Sequence, residues 1–173
     1  DRERGTLFRE APVRVALLYP SPYRVAMSSL GYQVIYRELN ARPDVVAERA
    51  FAPDDLDRAA RDREPVVTYE SMRPLGDHPI VAVSVAYEGE LAGMIQTLEL
   101  AGVPALREAR TPERHPFVLA GGPLTFSNPV PLHDYVDAVI VGEAEELVHA
   151  VVDALIAEGD HDARLRALAA MPH

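Results

Sequence analysis

Apolar runs of strand length alternate with stretches of helical period from one end of the chain to the other. Val13–Tyr19 is an apolar run stopped by Pro20, Ser21 and Pro22, which predicts a buried parallel strand followed by a loop. Met27, Leu30, Val34, Ile35 and Leu39 then recur at helical spacing, and residues 40–43 end that helix at a proline. Val45–Phe51 is a second strand, and Pro53 with Asp54 and Asp55 opens a short polar helix reaching about Arg63. Residues 66–69 are compatible with a small edge strand, and residues 72–75 with a loop over that edge. A central strand is expected over 80–87, with Ser84 as its polar interruption. Leu91, Met94, Ile95, Leu98 and Leu100 outline a helix that stops at Gly102, with Pro104 beyond. After a charged connection over 107–116, residues 117–120 give a fourth strand, 123–132 a long loop and 138–141 a fifth strand. Leu147, Val148, Val151, Val152, Leu155 and Ile156 form an amphipathic helix closed by Gly159. A last helix is expected over 162–171, ending at Pro172 and His173.

Strands alternating with helices predict an α/β fold: a three-layer, doubly wound, five-stranded parallel sheet in the flavodoxin-like order 2-1-3-4-5. In that order the ends of strands 1, 3, 4 and 5 converge on one rim carrying residues 20–29, 84–89, 121–123 and 142–146. Two Gly-rich strand-to-helix junctions stand there, Gly121-Gly122-Pro123 and Gly142-Glu143. Ligands of open α/β sheets bind outside the carboxyl ends of the strands, and glycine there admits a ring or a phosphate close to the backbone. Glycine after a buried strand also serves a plain tight turn, and acids after Gly142 suit a helix N-terminus, so both uses stay open. Gly121 and Gly142 are expected to line one slot, and Gly122→Leu is expected to harm ligand entry or docking more than folding, since a rim glycine has little core to disturb.

Composition narrows the chemistry. The chain has 173 residues, 48% of them apolar and 25% charged, which fits one domain with its own core. No apolar run approaches the roughly 20 residues needed to cross a bilayer, so no membrane is expected. The absence of cysteine excludes thiolate metal sites, cysteine nucleophiles and any iron–sulfur cluster held by this chain's own thiolates. All 17 basic residues are arginine, and without lysine there is no Walker A loop and no Schiff base. A net charge of −10 without a basic stretch argues against a nucleic-acid phosphate track. Neither G-x-G-x-x-G after the first strand, H-E-x-x-H nor G-x-S-x-G occurs, and the six histidines have no ligand spacing. No metal is expected. Glu88, Glu90, Glu143, Glu145 and Glu146 gather acids near the rim, where capping and solubility explain them as well as catalysis does. Tyr19, Tyr23, Tyr87 and Phe126 offer flat surfaces either to a large ring or to the core. With no leader sequence visible, the cytoplasm is the expected compartment.

Several segments resemble the amino-terminal domain of a large group of radical S-adenosylmethionine (SAM) proteins: residues 14–20, 23–36, 39–44, 48–53, 83–88, 119–123 and 137–146. The resemblance spans about Val13 to Met171 and is specific in combination rather than in any one motif. It implies a single cobalamin-binding-type Rossmann domain over 1–173, with a core of about 13–158 and a helix over 160–173 leading to a radical SAM barrel. In such proteins the barrel's three cysteines hold a [4Fe–4S] cluster beside SAM, and both belong to a part not contained in this chain. The resemblance assigns Ser28, Gly31, Ser84, Gly121, Gly122, Pro123, Gly142 and Glu143 to a cobalamin cradle. One departure is plain. The D-x-H-x-x-G signature that supplies a histidine to cobalt, aligned with its glycine on Gly31, puts Ala26 at the aspartate and Ser28 at the histidine. The implied functions are therefore corrinoid binding without that histidine, or a domain without a cofactor that docks on the barrel.

Overall fold

A computed structural model describes residues 6–157 and 159–171. Five strands, β1 (Val13–Tyr19), β2 (Val45–Phe51), β3 (Ile80–Ser84), β4 (Phe117–Gly121) and β5 (Ala138–Val139), form one sheet in the order β2-β1-β3-β4-β5. Every pairing is parallel, with Val15 opposite Ile80, Ala82 opposite Leu119 and Ala120 opposite Val139. The strand order and the doubly wound architecture are those read from the sequence.

The helices are α1 (Tyr23–Ala26), α2 (Leu30–Ala41), α3 (Leu56–Asp62), α4 (Leu91–Leu100), α5 (Leu124–Ser127), α6 (Ala144–Ala157) and α7 (His161–Ala169). Local chemistry sets their ends. Ser29, Asp55 and Asp160 accept from the backbone N–H groups of Tyr32, Arg58 and Ala163 at the starts of α2, α3 and α7. Gly102, at φ +73°, lets Val103 N–H turn back to Leu98 O at 2.9 Å and closes α4.

Alternate strand positions feed two cores. Ala16, Leu18, Val81, Val83, Val118 and Ala120 pack against Met94 and Leu98 of α4 together with Leu75, Leu124 and Leu132. Val15, Leu17, Ile80, Phe117 and Leu119 face α2 and α6, with Leu165 and Leu168 of α7 at the margin.

The structure revises several boundaries. The third strand ends at Ser84 instead of 87, because the Glu90 carboxylate accepts from Ala86 N–H at 2.7 Å and turns the chain. β5 is two residues long, although Ile140 N–H still donates to Ala120 O at 2.8 Å. The helix expected from Met27 starts at Leu30, where Ser29 caps it, and a separate short helix, α1, lies in the loop before it. Residues 66–69 form no strand and make one antiparallel bridge, Val67 to Pro74. The loop over 123–132 contains α5 and a 3-10 turn, Val130–Leu132. Glu158, Pro172 and His173, which mark expected boundaries, lie outside the described residues.

Candidate functional site

One face of the sheet is close-packed and the other is not. Between the sheet and the roof formed by α2 and α6 runs a slot of about 490 Å³. Its floor is Val15, Leu17, Ile80, Ala82, Leu119 and Ile140, and its roof Ile35, Leu39, Val148, Val151, Val152 and Leu155. The slot opens at the carboxyl edge, where Ser29, Gly31, Ser84, Gly121, Gly122, Pro123, Phe126, Gly142, Glu143 and Glu145 surround it. Protein interiors leave few voids larger than a water molecule, and ligand pockets run to about 300–1,000 Å³ with apolar walls and a few polar groups. Its size and lining are those of a ligand pocket.

Seven of the eight residues singled out in the sequence line this slot: Gly31, Ser84, Gly121, Gly122, Pro123, Gly142 and Glu143. Gly121 and Gly142 share it, as expected. Ser28 is not among the lining residues. Its hydroxyl donates to Val25 O at 2.6 Å on the exposed surface, and its neighbour Ser29 takes the place at the mouth.

The glycines do different work. Gly122 has φ +107°, and a Cβ there would stand 2.7 Å from Val85 O and 3.0 Å from Val85 N, so the turn itself requires glycine. The expectation that bulk at Gly122 spares folding is therefore corrected. Gly31 and Gly121 carry no such constraint. A Cβ at Gly31 meets nothing within 4 Å, and one at Gly121 only Ile140 Cβ at 3.9 Å. Neither backbone angle nor packing demands glycine at these two positions, and at both the missing side chain leaves the mouth wider.

The rim acids with described side chains, which exclude Glu146, stand in different places. Glu90 is buried, where Ser21 Oγ donates to it at 3.0 Å and Ala86 N–H at 2.7 Å, tying together the loops after β1 and β3. Glu88 is exposed away from the slot, whereas Glu143 and Glu145 stand at its mouth on the α6 side. The aromatics also divide. Phe126 lines the mouth, Tyr19 is buried edge-on against Tyr32, and Tyr23 stacks on Tyr69 beyond β2. Burial, with the Glu90 carboxylate beside it, pushes the Tyr19 phenol above its ordinary range. Tyr32 was not singled out in the sequence. It lines the slot while its hydroxyl donates to Leu17 O at 2.8 Å, and burial pushes its pKa well up. It stands outside the apolar helical period of Leu30, Val34, Ile35 and Leu39, and nothing in the sequence marked the cavity beside it.

Among the described residues no group of three or more His, Asp or Glu side chains is arranged to hold a metal. No described histidine lines the slot: His78, His115 and His161 lie around a groove with Asp77 and Pro116, and His133 pairs with Asp134 on the surface. Among the described residues no helix is long and apolar enough to cross a membrane.

These features define a class, the doubly wound α/β domain with an apolar slot opening at the carboxyl edge of its sheet. The family model for radical SAM proteins, N-terminal, matches residues 31–173, and the chain belongs to that family. The match begins after β1, although β1 pairs with both β2 and β3 inside the sheet. No curated protein matches the sequence.

Proposed function

We propose that the chain is a cobalamin-binding-type domain of a radical SAM protein, holding a corrinoid in the slot with no histidine ligand from the first rim loop. The observation that carries this reading is the slot itself, whose mouth is kept clear by Gly31 and Gly121 where no backbone need explains glycine. The residues present fit such a group. The apolar floor and the Ile35, Val148 and Val152 roof suit a flat ring, while Ser29 and Ser84 supply hydroxyls at the entrance. When bound, a corrinoid would supply a cobalt centre for methyl or electron transfer. The chain's own residues would bind it, orient it against the sheet and keep water from its buried part. In this reading the chain is one domain whose last described helix, α7, leads to a radical SAM barrel that holds the [4Fe–4S] cluster and SAM.

Mixing the purified chain with diaquocobinamide, a corrinoid without its own nitrogen base, desalting and recording the absorption spectrum tests the reading. Retention without the spectral shift of nitrogen ligation is expected. Loss of the corrinoid on desalting would overturn it, and so would a nitrogen-ligated spectrum abolished by substituting His78, His115 or His133.

A second reading, a docking module without a cofactor, is favoured by one observation. Val25, Leu30, Tyr87, Phe126, Val130 and Val141 are all exposed, and all lie on loops or helix starts at the carboxyl edge. An apolar rim of this kind suits a protein partner, here the barrel of the same polypeptide. Weaker association of a separately produced barrel with a Leu30→Ser, Phe126→Ser variant, together with no corrinoid retention by the parent, would select this reading.

A further inference from the structure

Among the described residues the polar links between the two roof helices lie at one end of the slot only. α2 and α6 both start at the carboxyl edge and run toward the opposite end of the sheet, where Asp44 O accepts from Val13 N–H at the start of β1. Arg42, the residue after α2, lies at that deep end. Its Nε and Nη2 grip Asp44 at 3.0 and 2.8 Å, its Nη1 donates to His149 O at 3.1 Å, and its Nη2 reaches Asp153 Oδ1 at 2.6 Å. One guanidinium thus joins the end of α2, the approach to β2 and the body of α6. Its hydrogen bonds to Asp44, then to Asp153, hold it firmly charged. A second link, Glu38 to His149 at 3.6 Å, lies in the same half of α2.

The mouth half differs. Ser29, Gly31, Tyr32 and Ile35 on one side face Glu143, Ala144, Glu145 and Val148 on the other across the cavity. Among the described residues no hydrogen bond or ion pair joins these two sets. At 1.5 Å per residue, Asp153 stands about 14 Å along α6 from its start at the mouth. A small rotation about the Arg42 staple therefore becomes a larger displacement at the entrance.

We propose that Arg42 is a positioning residue that sets the gape of the slot: α6 pivots on the contacts that His149 O and Asp153 make with Arg42, and its mouth half opens and closes on whatever enters, against α2, which the Tyr32 hydroxyl holds to Leu17 O of β1. The proposal concerns the same slot as the functional reading, yet it does not depend on the ligand being a corrinoid.

The absence of cysteine allows a clean test. Nitroxide labels on Leu30→Cys and Glu145→Cys report the mouth width by pulsed electron–electron resonance. With Arg42 intact a single narrow distance distribution is expected, and Arg42→Met is expected to broaden it and shift it to longer distance. Asp153→Asn, at an exposed position, removes the ion pair between Arg42 and α6 while leaving the contact to His149 O, and should move the distribution the same way by a smaller amount. An unchanged distribution in the folded Asp153→Asn and Arg42→Met proteins would overturn the proposal, and Asp153→Asn alone decides it if Arg42→Met does not fold. Corrinoid retention, measured separately on the unlabelled chain, reports on the functional reading and not on the pivot.

Discussion

Replacing each of two neighbouring mouth glycines by alanine should move stability in opposite directions. At Gly122 the added Cβ must displace the Val85 backbone, and the residue is held at φ +107°, which costs an L-residue about 1–3 kcal/mol. The displaced peptide also carries two hydrogen bonds, Val85 N–H to Gly121 O at 2.9 Å and Leu124 N–H to Val85 O at 3.1 Å, each worth about 0.5–1.5 kcal/mol. Gly122→Ala should therefore cost about 3 kcal/mol, a fall of roughly 6–12 °C in Tm for a domain of this size. Gly31 is the second residue of α2, a Cβ there enters open space, and alanine exceeds glycine by about 0.5–1 kcal/mol inside a helix. Gly31→Ala should raise Tm by roughly 1–4 °C. Thermal and urea unfolding followed by circular dichroism measures both. A neutral Gly122→Ala, or a Gly31→Ala that destabilises, would refute the division of the glycines into one that makes a turn and one that clears a passage.

The buried polar groups around β2 give two pH predictions. Burial raises the Glu48 carboxyl, but the Ser71 and Thr68 hydroxyls, with His78 and Arg14, outweigh it and hold its pKa below the ordinary glutamate value. A depressed folded pKa gives stability that is present above the ordinary value and lost as pH falls through the folded one. Acid unfolding should therefore show this limb. Glu48→Gln should flatten it while costing about 3 kcal/mol near neutrality, because Arg14 loses its buried partner. On the alkaline side, burial and then the Glu70 carboxylate push the Tyr36 phenol up to about 12. A raised folded pKa gives stability present below the unfolded value of 10.0 and lost as pH rises toward 12, so Tm should fall across that interval. The fall should be shallower in Tyr36→Phe, and an equal slope in both proteins would count against the assignment.

The architecture was legible because the strands are mostly apolar runs, β2 with its buried Glu48 and Arg49 being the exception, and each roof helix repeats apolar residues at helical spacing. Strand ends were less so. Glu90 folds back on Ala86 and cuts the third strand short, a local side-chain turn that Val85 and Ala86, apolar and strand-like, do not betray. The start of α2 was hidden as well, since the apolar period begins at Met27, ahead of the cap at Ser29. At the site, the junction glycines marked the rim, because strand order alone brings the ends of β3, β4 and β5 together. Which glycine makes a turn and which leaves space was not readable, since that depends on Val85 lying against Gly122 and on nothing lying over Gly31. The shift from Ser28 to Ser29 has the same origin: one residue along a helix start exchanges a surface hydroxyl for one at the mouth.

Filling the slot from a position that folding does not constrain tests the central claim most directly. Gly121 ends β4 with ordinary backbone angles, and its Cβ direction leads into the mouth beside Ile140, so Gly121→Ile should fold and obstruct the entrance. Equilibrium dialysis of hydroxocobalamin against the parent chain and this variant, with circular dichroism to verify that both are folded, compares their affinities. We expect the parent to bind and the variant to lose at least tenfold in affinity, about 1.4 kcal/mol. Equal binding by the two folded proteins, or no binding by the parent, would contradict the assignment of this slot as a corrinoid site.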